Sequence, residues 1–142
     1  MPKATITERF RAQHSDIEQR ICDVEAQLRN SNWRENITTL RAEFTQLSAK
    51  LRIHLALEDN ALYPRLSTHS NSDLSALANQ YQLEMGDIRD RYEDFITEWL
   101  HGERLSREPK EFERTSALLF SVLRKRLERE NTELYPLADT VG

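Results

Sequence analysis

Four segments of the sequence carry apolar residues at alternating spacings of three and four residues. This periodicity is typical of an α-helix that buries one narrow face. Only three Gly and four Pro are present among the 142 residues to interrupt it. We predict helices over residues 6–30, 37–66, 73–101 and 109–138. No segment alternates β-branched or aromatic residues with polar ones as a half-buried strand would.

The lengths of these segments predict the architecture. Each helix of about 25–30 residues would be about 40 Å long at a rise of ~1.5 Å per residue. The connections between the helices are short, and a chain of 142 residues is the usual size of one domain. We expect an all-α fold, with residues 1–142 forming a single antiparallel up-down-up-down four-helix bundle.

Charge is spread along the whole chain, with 20 Lys and Arg against 24 Asp and Glu and a net charge of −4. No basic face is concentrated enough to bind nucleic acid, and no apolar run reaches the ~20 residues of a membrane span. The N-terminal residues lack the apolar core of a signal peptide. We expect a cytoplasmic protein without a nucleic-acid or membrane partner, whose polar helix surfaces are compatible with a protein partner or a homodimer.

The second half of the sequence repeats the first. Residues 54–64 align with residues 126–136, so that Glu58 corresponds to Glu130 and both segments end in Leu-Tyr-Pro. A weaker match aligns His14 with Met85. The first and second pairs of helices are therefore interpreted as two copies of one helical hairpin.

Several residues in the predicted buried faces are unusual for an apolar core. They are His14, His54, Glu58, Met85, Arg126 and Glu130. Except for the methionine, each carries a polar group whose burial is costly unless it is partnered. In an antiparallel bundle all of them fall at one level, near one end of the molecule.

This polar layer predicts a metal site. His54 and Glu58 are four residues apart, so their side chains lie on one face of a helix and can converge on one ion. Neighbouring helices supply His14 and Glu130. Imidazole nitrogens and carboxylate oxygens together suit Fe, Zn or Mn. A His-x-x-x-Glu pair alone occurs often by chance, so the prediction depends on the whole layer.

The layout resembles the hemerythrin-like (HHE cation-binding) domain family. The features that carry the resemblance are a His in the first helix, His54-x-x-x-Glu58 before Leu62-Tyr63-Pro64, and a second copy that ends in Glu130 and Leu134-Tyr135-Pro136. The resemblance covers roughly residues 5–138. It implies a four-helix bundle with a non-haem di-iron centre that binds or senses oxygen, nitric oxide or iron.

The resemblance places His14, His54, Glu58 and Glu130 at ligand positions. Met85 and Arg126 stand where the family pattern has the His of the third and the fourth helix. Thioether sulfur suits ferric iron poorly, and a guanidinium cannot ligate a cation. A di-iron centre is therefore disfavoured.

Two other states of the layer are compatible with these substitutions. In the first, a single Fe, Zn or Mn ion is held and the protein binds or senses iron, oxygen or nitric oxide through a reduced His/Glu site. In the second, the layer is metal-free because Arg126 replaces the metal and pairs with Glu58, Glu130 or both. The protein would then be a degenerate hemerythrin-like bundle that acts as a regulatory or protein-interaction module.

Tyr63 and Tyr135 lie five residues beyond Glu58 and Glu130. Their hydroxyl groups are expected either to hydrogen-bond toward the site as a second shell or simply to pack at the end of the bundle. The sequence contains no Gly-rich phosphate loop, no Ser-His-Asp or Cys-His arrangement and no pair of carboxylates in a cleft. We therefore expect no catalytic residues and a protein that is not an enzyme.

Overall fold

Long helices make up most of the computed structural model, which describes residues 5–141. Within that range all regular structure is helical. The α-helices are α1 (Glu8–Arg29), α2 (Ile37–Leu57), α3 (Tyr63–Ser67), α4 (Ser72–Trp99), α5 (Arg104–Arg107), α6 (Pro109–Arg129) and α7 (Tyr135–Val141). A 3₁₀ turn spans Trp33–Asn36, and π-helical turns span Glu58–Leu62 and Glu130–Leu134. The all-α prediction is confirmed for this part of the chain.

Local sequence explains where the long helices begin. The side chain of Asn71 accepts a hydrogen bond from the backbone N–H of Leu74 at 3.0 Å, and so caps the N-terminus of α4. Pro109 is the first residue of α6, where a missing N–H costs nothing. Glu8 places a negative charge in the first turn of α1, beside the positive end of the helix dipole.

The two helical segments that end in Leu-Tyr-Pro each contain a π-helical turn. Proline lacks an N–H, and its ring clashes with the carbonyl four residues earlier in a regular α-helix. The chain widens just before each proline: the N–H of Tyr63 bonds to the carbonyl of Glu58, and that of Tyr135 to the carbonyl of Glu130. The continuous helices predicted over residues 37–66 and 109–138 are therefore each divided by a wider turn.

The helices pack around two apolar clusters. α1 contacts α2 and α6, and α4 contacts α3 and α6. The larger cluster contains Ile17, Leu51, Leu55 and Leu127 with many others, and the smaller one is built on the two Leu-Tyr-Pro segments with Phe10 and Tyr81. Along the chain, His14, Glu58 and Glu130 each fall between a member of the larger cluster and a member of the smaller one. No helix in residues 5–141 has the combination of length and apolar character that a membrane crossing requires.

Candidate metal centre

Four of the predicted site residues converge in the interior. His14 comes from α1, His54 from α2, and Glu58 and Glu130 are the first residues of the two π-helical turns. One ligating atom from each of the four side chains lies within 4.8 Å of all the others. The exposed fraction is 3% for His14 and 0% for the other three. The structure thus brings together the ligand set that the sequence predicts.

The spacing of the ligating atoms matches that around one ion. His54 Nε2 lies 3.0 Å from Glu58 Oε1, one helical turn further along the same helical segment. His14 Nε2 lies 3.1 Å from Glu130 Oε1 and 3.1 Å from His54 Nε2. Ligands at right angles about an ion with bonds of ~2.1 Å would be about 3.0 Å apart. The four atoms therefore have the separation of neighbouring ligands.

Two amide side chains set the tautomers of the imidazoles. His14 Nδ1 donates to Asn131 Oδ1 at 2.9 Å, and His54 Nδ1 donates to Gln13 Oε1 at 2.7 Å. In a neutral ring whose proton is on Nδ1, Nε2 carries a lone pair, and this is the form in which a histidine binds a metal. Two lone pairs that face each other cannot form a hydrogen bond, but both can bind a cation.

Each carboxylate likewise has one atom that is hydrogen-bonded to a neighbouring side chain. Glu58 Oε2 accepts a hydrogen bond from Tyr135, and Glu130 Oε2 accepts one from Tyr63, each at 2.8 Å. Each tyrosine thus donates a hydrogen bond to the glutamate of the other repeat. The second oxygen of each carboxylate, Oε1, is buried and has no hydrogen-bond partner among the residues that the structure describes. Two carboxylate oxygens without a partner, buried beside two imidazole nitrogens, form a site that fits a single cation.

Burial and mutual contact set the protonation of these groups. Burial, and after it the charge of Glu130, raises the pKa of Glu58 well above its ordinary value. Burial opposes ionisation of Glu130 as well, but contacts with His14 and Glu58 and the charge of Arg126 hold its pKa below the ordinary value. Burial and the neighbouring His14 lower the pKa of His54 to about 4, so that His54 is neutral, as a metal ligand must be.

Arg126 lies beside the four ligands, on the side of Glu130. One terminal nitrogen, Nη2, donates to the hydroxyl of Tyr63 at 2.9 Å and to the carbonyl of Tyr81 at 2.5 Å. The other, Nη1, donates to Glu84 at 3.3 Å, and the guanidinium lies 4.1 Å from the centre of the Tyr81 ring. Nε is 3.9 Å from Glu130 Oε2. Arg126 thus acts on Glu130 at long range and through Tyr63.

This arrangement refines the predicted arginine network. The sequence allowed Arg126 to pair with Glu58, Glu130 or both; within residues 5–141 its ion pair at this centre is with Glu130 alone. Met85 is 2% exposed and packs in the larger apolar cluster.

The two amide side chains that bond the histidines, those of Gln13 and Asn131, were not predicted from the sequence. Gln13 precedes His14 and Asn131 follows Glu130, so adjacency to a ligand was the available signal. It was weak, because adjacent residues on a helix project about 100° apart at ~3.6 residues per turn, and which ones turn back toward a ligand depends on the neighbouring helix. Tyr63 and Tyr135, expected as a second shell or as packing residues, both contact the carboxylates directly.

The fold is a helical domain with a buried set of two imidazoles and two carboxylates, the donor types that bind transition-metal ions. The family model for the hemerythrin HHE cation binding domain matches residues 5–138, and the chain belongs to this family. Neither the curated proteins nor the solved structures yielded a match to the chain.

Proposed function

We propose that this protein binds one Fe, Zn or Mn ion through His14, His54, Glu58 and Glu130. The observation that carries the proposal is the convergence of one ligand atom from each of these four buried side chains, with the Oε1 atoms of both glutamates lacking a hydrogen-bond partner among the described residues. Membership in a cation-binding family supports it. The matching distances of 3.0 and 3.1 Å between these atoms support a single ion.

Charge also favours one ion over two. With both glutamates ionised, as metal ligands must be, and both histidines neutral, the two carboxylates and the Arg126 guanidinium give the layer one net negative charge. One divalent ion reverses this to one positive charge, whereas a second would leave a large uncompensated charge in a buried site. The residues that align with His14 and His54 in the repeat, Met85 and Arg126, offer no ligand suited to a second ion.

The ion would give the site a Lewis-acidic centre, redox-active if it is iron, and this is the chemistry with which a small molecule could be bound. Four protein ligands leave positions free on an ion that prefers five or six. We propose binding or sensing of iron, oxygen or nitric oxide rather than catalysis, and we propose that the helices form an antiparallel up-down-up-down four-helix bundle.

Metal analysis of the purified protein tests the stoichiometry. Samples loaded separately with Fe²⁺, Zn²⁺ and Mn²⁺ and then desalted should retain one ion per chain for at least one metal. His54→Gln should abolish retention, because the amide replaces a ligand nitrogen. His69→Gln is the matched control, since His69 lies in the loop after α3 and accepts a bond from the Asn71 backbone. Two ions per chain would contradict a single-ion site, and none would contradict metal binding.

A second test addresses the orientation of the imidazoles. Asn131→Leu removes the acceptor that holds the His14 Nδ1 proton, and should weaken Zn²⁺ binding by about 10–100-fold, as is usual for such partners of metal-bound histidines. Asn60→Leu is the control, because Asn60 is exposed on the first π-helical turn. Titration calorimetry with Zn²⁺ measures both. Equal affinity in the two variants would show that the Asn131 contact does not prepare the ligand.

One observation favours a second function. Arg126 supplies a permanent positive charge 3.9 Å from Glu130, which could compensate the layer without a metal. The protein would then be a metal-free regulatory or interaction module, with a partner or second copy on its helical surface. Here Met85→His combined with Arg126→His should gain metal binding that the wild-type protein lacks. Wild-type protein that already holds an ion would exclude this alternative.

A further inference from the structure

We propose that the groove between α1 and α6 is the route by which the cation enters and leaves the centre, and that the carboxylate of Glu128 at its rim is the group that first attracts the ion. The inference rests on the single-ion site proposed above. It adds an entry path and a capture residue that lie outside the ligand set.

The groove reaches one ligand of the centre directly. It has a volume of about 600 Å³, and His14 lines it together with Ser15 of α1 and with Asn131 and Thr132 of the second π-helical turn. Of the four ligand residues, His14 is the one that keeps some exposure, 3% against 0% for the others. The centre is therefore closest to solvent at this groove.

Size and contact with a ligand together select this groove over another one. Six waters around an ion occupy about 180 Å³ at ~30 Å³ each, which the groove can hold. A groove between α2 and α4, lined by Ala56, Asp59 and Asn60 among others, has about 300 Å³ and could hold such an ion too. Within the described residues 5–141, however, it is lined by none of the four ligand residues.

The charges along the groove between α1 and α6 favour a cation. Both of the arginines that line it are paired with carboxylates. The guanidinium of Arg11 lies 3.3 Å from Asp139. That of Arg124 lies 2.7 Å from Glu18 and 2.6 Å from Glu25. Carboxylates thus outnumber guanidinium groups here, and a groove of negative potential concentrates cations and speeds their binding.

Glu128 adds a carboxylate that is free to meet an ion. Its side chain is exposed at the groove and has no ion pair among the residues that the structure describes. Asn131 and Thr132 follow it by three and four residues and line the same groove. Carboxylate, amide and hydroxyl oxygens are groups that can replace waters around a divalent ion. These three side chains therefore extend from the rim toward His14.

The contact between Asn131 and His14 closes the inner end of the groove. Asn131 Oδ1 lies 2.9 Å from His14 Nδ1. The backbone carbonyl of Asn131 accepts a hydrogen bond from Arg11 Nη1 at 3.2 Å. Passage toward the ligating atoms requires the Asn131 side chain to rotate, while the bond from Arg11 keeps its backbone in place.

Exchange kinetics of Zn²⁺ test the route. Ser15→Trp and Thr132→Trp each place a large ring in the groove at an exposed position. Because uptake and release share one path, a blocked groove slows both by the same factor and leaves their ratio, the dissociation constant, unchanged. We expect each variant to slow both rates by about tenfold or more. Asn60→Trp places the same ring in the groove between α2 and α4 and should exchange at the wild-type rate.

Stopped-flow mixing measures the two rates, with free Zn²⁺ for uptake and with an excess of a chromophoric chelator for release. Titration calorimetry measures the dissociation constant. Glu128→Gln should slow uptake several-fold at low ionic strength, and the difference should shrink as salt screens the charge. Glu133→Gln is the matched control, because it removes the same charge from an exposed position outside the groove. Equal uptake by these two variants would overturn the role of Glu128.

The outcomes separate the route from the site on which it rests. Zn²⁺ that binds the wild-type protein but exchanges at unchanged rates in both groove variants would overturn the route and leave the metal site intact. Slower exchange in Asn60→Trp than in the groove variants would overturn it as well. A raised dissociation constant with unchanged uptake would show a damaged site rather than a blocked path, and would count against the route. Wild-type protein that binds no Zn²⁺ would refute the route, and the site too if it retains neither Fe²⁺ nor Mn²⁺.

Discussion

At the residue scale, four polar side chains outside the ligand set orient the ligands through hydrogen bonds. Asn131 and Gln13 each accept the Nδ1 proton of one histidine. Tyr63 and Tyr135 each donate to one carboxylate oxygen. In each ligand side chain, one polar atom, Nδ1 or Oε2, is therefore hydrogen-bonded to a neighbouring residue. The other, Nε2 or Oε1, faces the other ligands. Such an arrangement orients ligands before an ion arrives.

Arg126 is the residue whose loss should cost the most stability in the metal-free protein. Arg126→Ala should lower the free energy of unfolding by about 3–5 kcal/mol, since it leaves buried Glu130 without a cation and Tyr63 without a donor. Arg129→Ala is the matched control: Arg129 also contacts Glu84 and the Tyr81 ring, but its side chain is 44% exposed. Its loss should be below about 1 kcal/mol.

Urea denaturation in the presence of a chelator measures both arginine variants. The chelator is needed because a bound cation would itself compensate Glu130 and reduce the difference. A loss for Arg126→Ala no larger than that for Arg129→Ala would show that the buried guanidinium does not stabilise the metal-free layer.

At the element scale, the π-helical turns position the glutamates and the tyrosines together. Each turn begins at a ligand glutamate and ends just before a tyrosine that points back into the layer. A π-turn adds one residue relative to an α-helix and so rotates everything that follows. The Leu-Tyr-Pro segments therefore enter the smaller apolar cluster while Glu58 and Glu130 face the ligands.

The contact between α1 and α7 gives a prediction for these elements. Thr7, just before α1, is fully buried and donates its hydroxyl to both carboxylate oxygens of Asp139 in α7, at 2.8 and 2.7 Å. Thr7→Val keeps the shape and removes the donor. It should reduce the free energy of unfolding by about 1.5–3 kcal/mol, the usual contribution of a hydrogen bond to a charged group.

Thr45→Val is the control for this change. The hydroxyl of Thr45 lies on an exposed helix surface and bonds to the carbonyl of Arg41 in its own helix. Hydrogen exchange should show faster exchange in α7 for the Thr7 variant and no such change for the Thr45 variant. Unchanged protection of α7 in both would mean that the Thr7–Asp139 bond does not hold this helix in place.

At the scale of the whole molecule, the buried polar layer has a cost in stability. Buried acceptors without donors each carry a desolvation penalty. An ion that binds only the folded state offsets this penalty and adds stability that depends on its concentration. Metal binding and folding should therefore be coupled.

This coupling is measurable by thermal unfolding. Free ion at about 100–1,000 times its dissociation constant should raise the free energy of unfolding by about 3–4 kcal/mol over the chelated protein. Glu58→Gln should respond much less, because the amide cannot supply the second negative charge, while His69→Gln should respond as the wild-type protein does. Identical melting curves with metal and with chelator would argue for the metal-free alternative.

Local sequence determined much of this protein, because helical periodicity is set by the geometry of one chain segment. The spacing of apolar residues predicted the long helices, and the four-residue separation of His54 and Glu58 predicted that they share a face. The repeat related Glu58 to Glu130, and the motifs indicated the family. Each of these inferences needs only the ~3.6-residue turn of the helix.

Tertiary structure alone decided how the polar residues are paired. Which oxygen of each glutamate is left without a donor, and which nitrogen of each histidine carries the proton, depends on partners from other segments. Arg126 had several acceptors within reach, and packing against Tyr81 and Tyr63 directed it away from Glu58. The physical reason is that hydrogen bonds are directional and short-ranged, so their pattern follows from the relative rotation of packed helices, which the periodicity of a single helix does not specify.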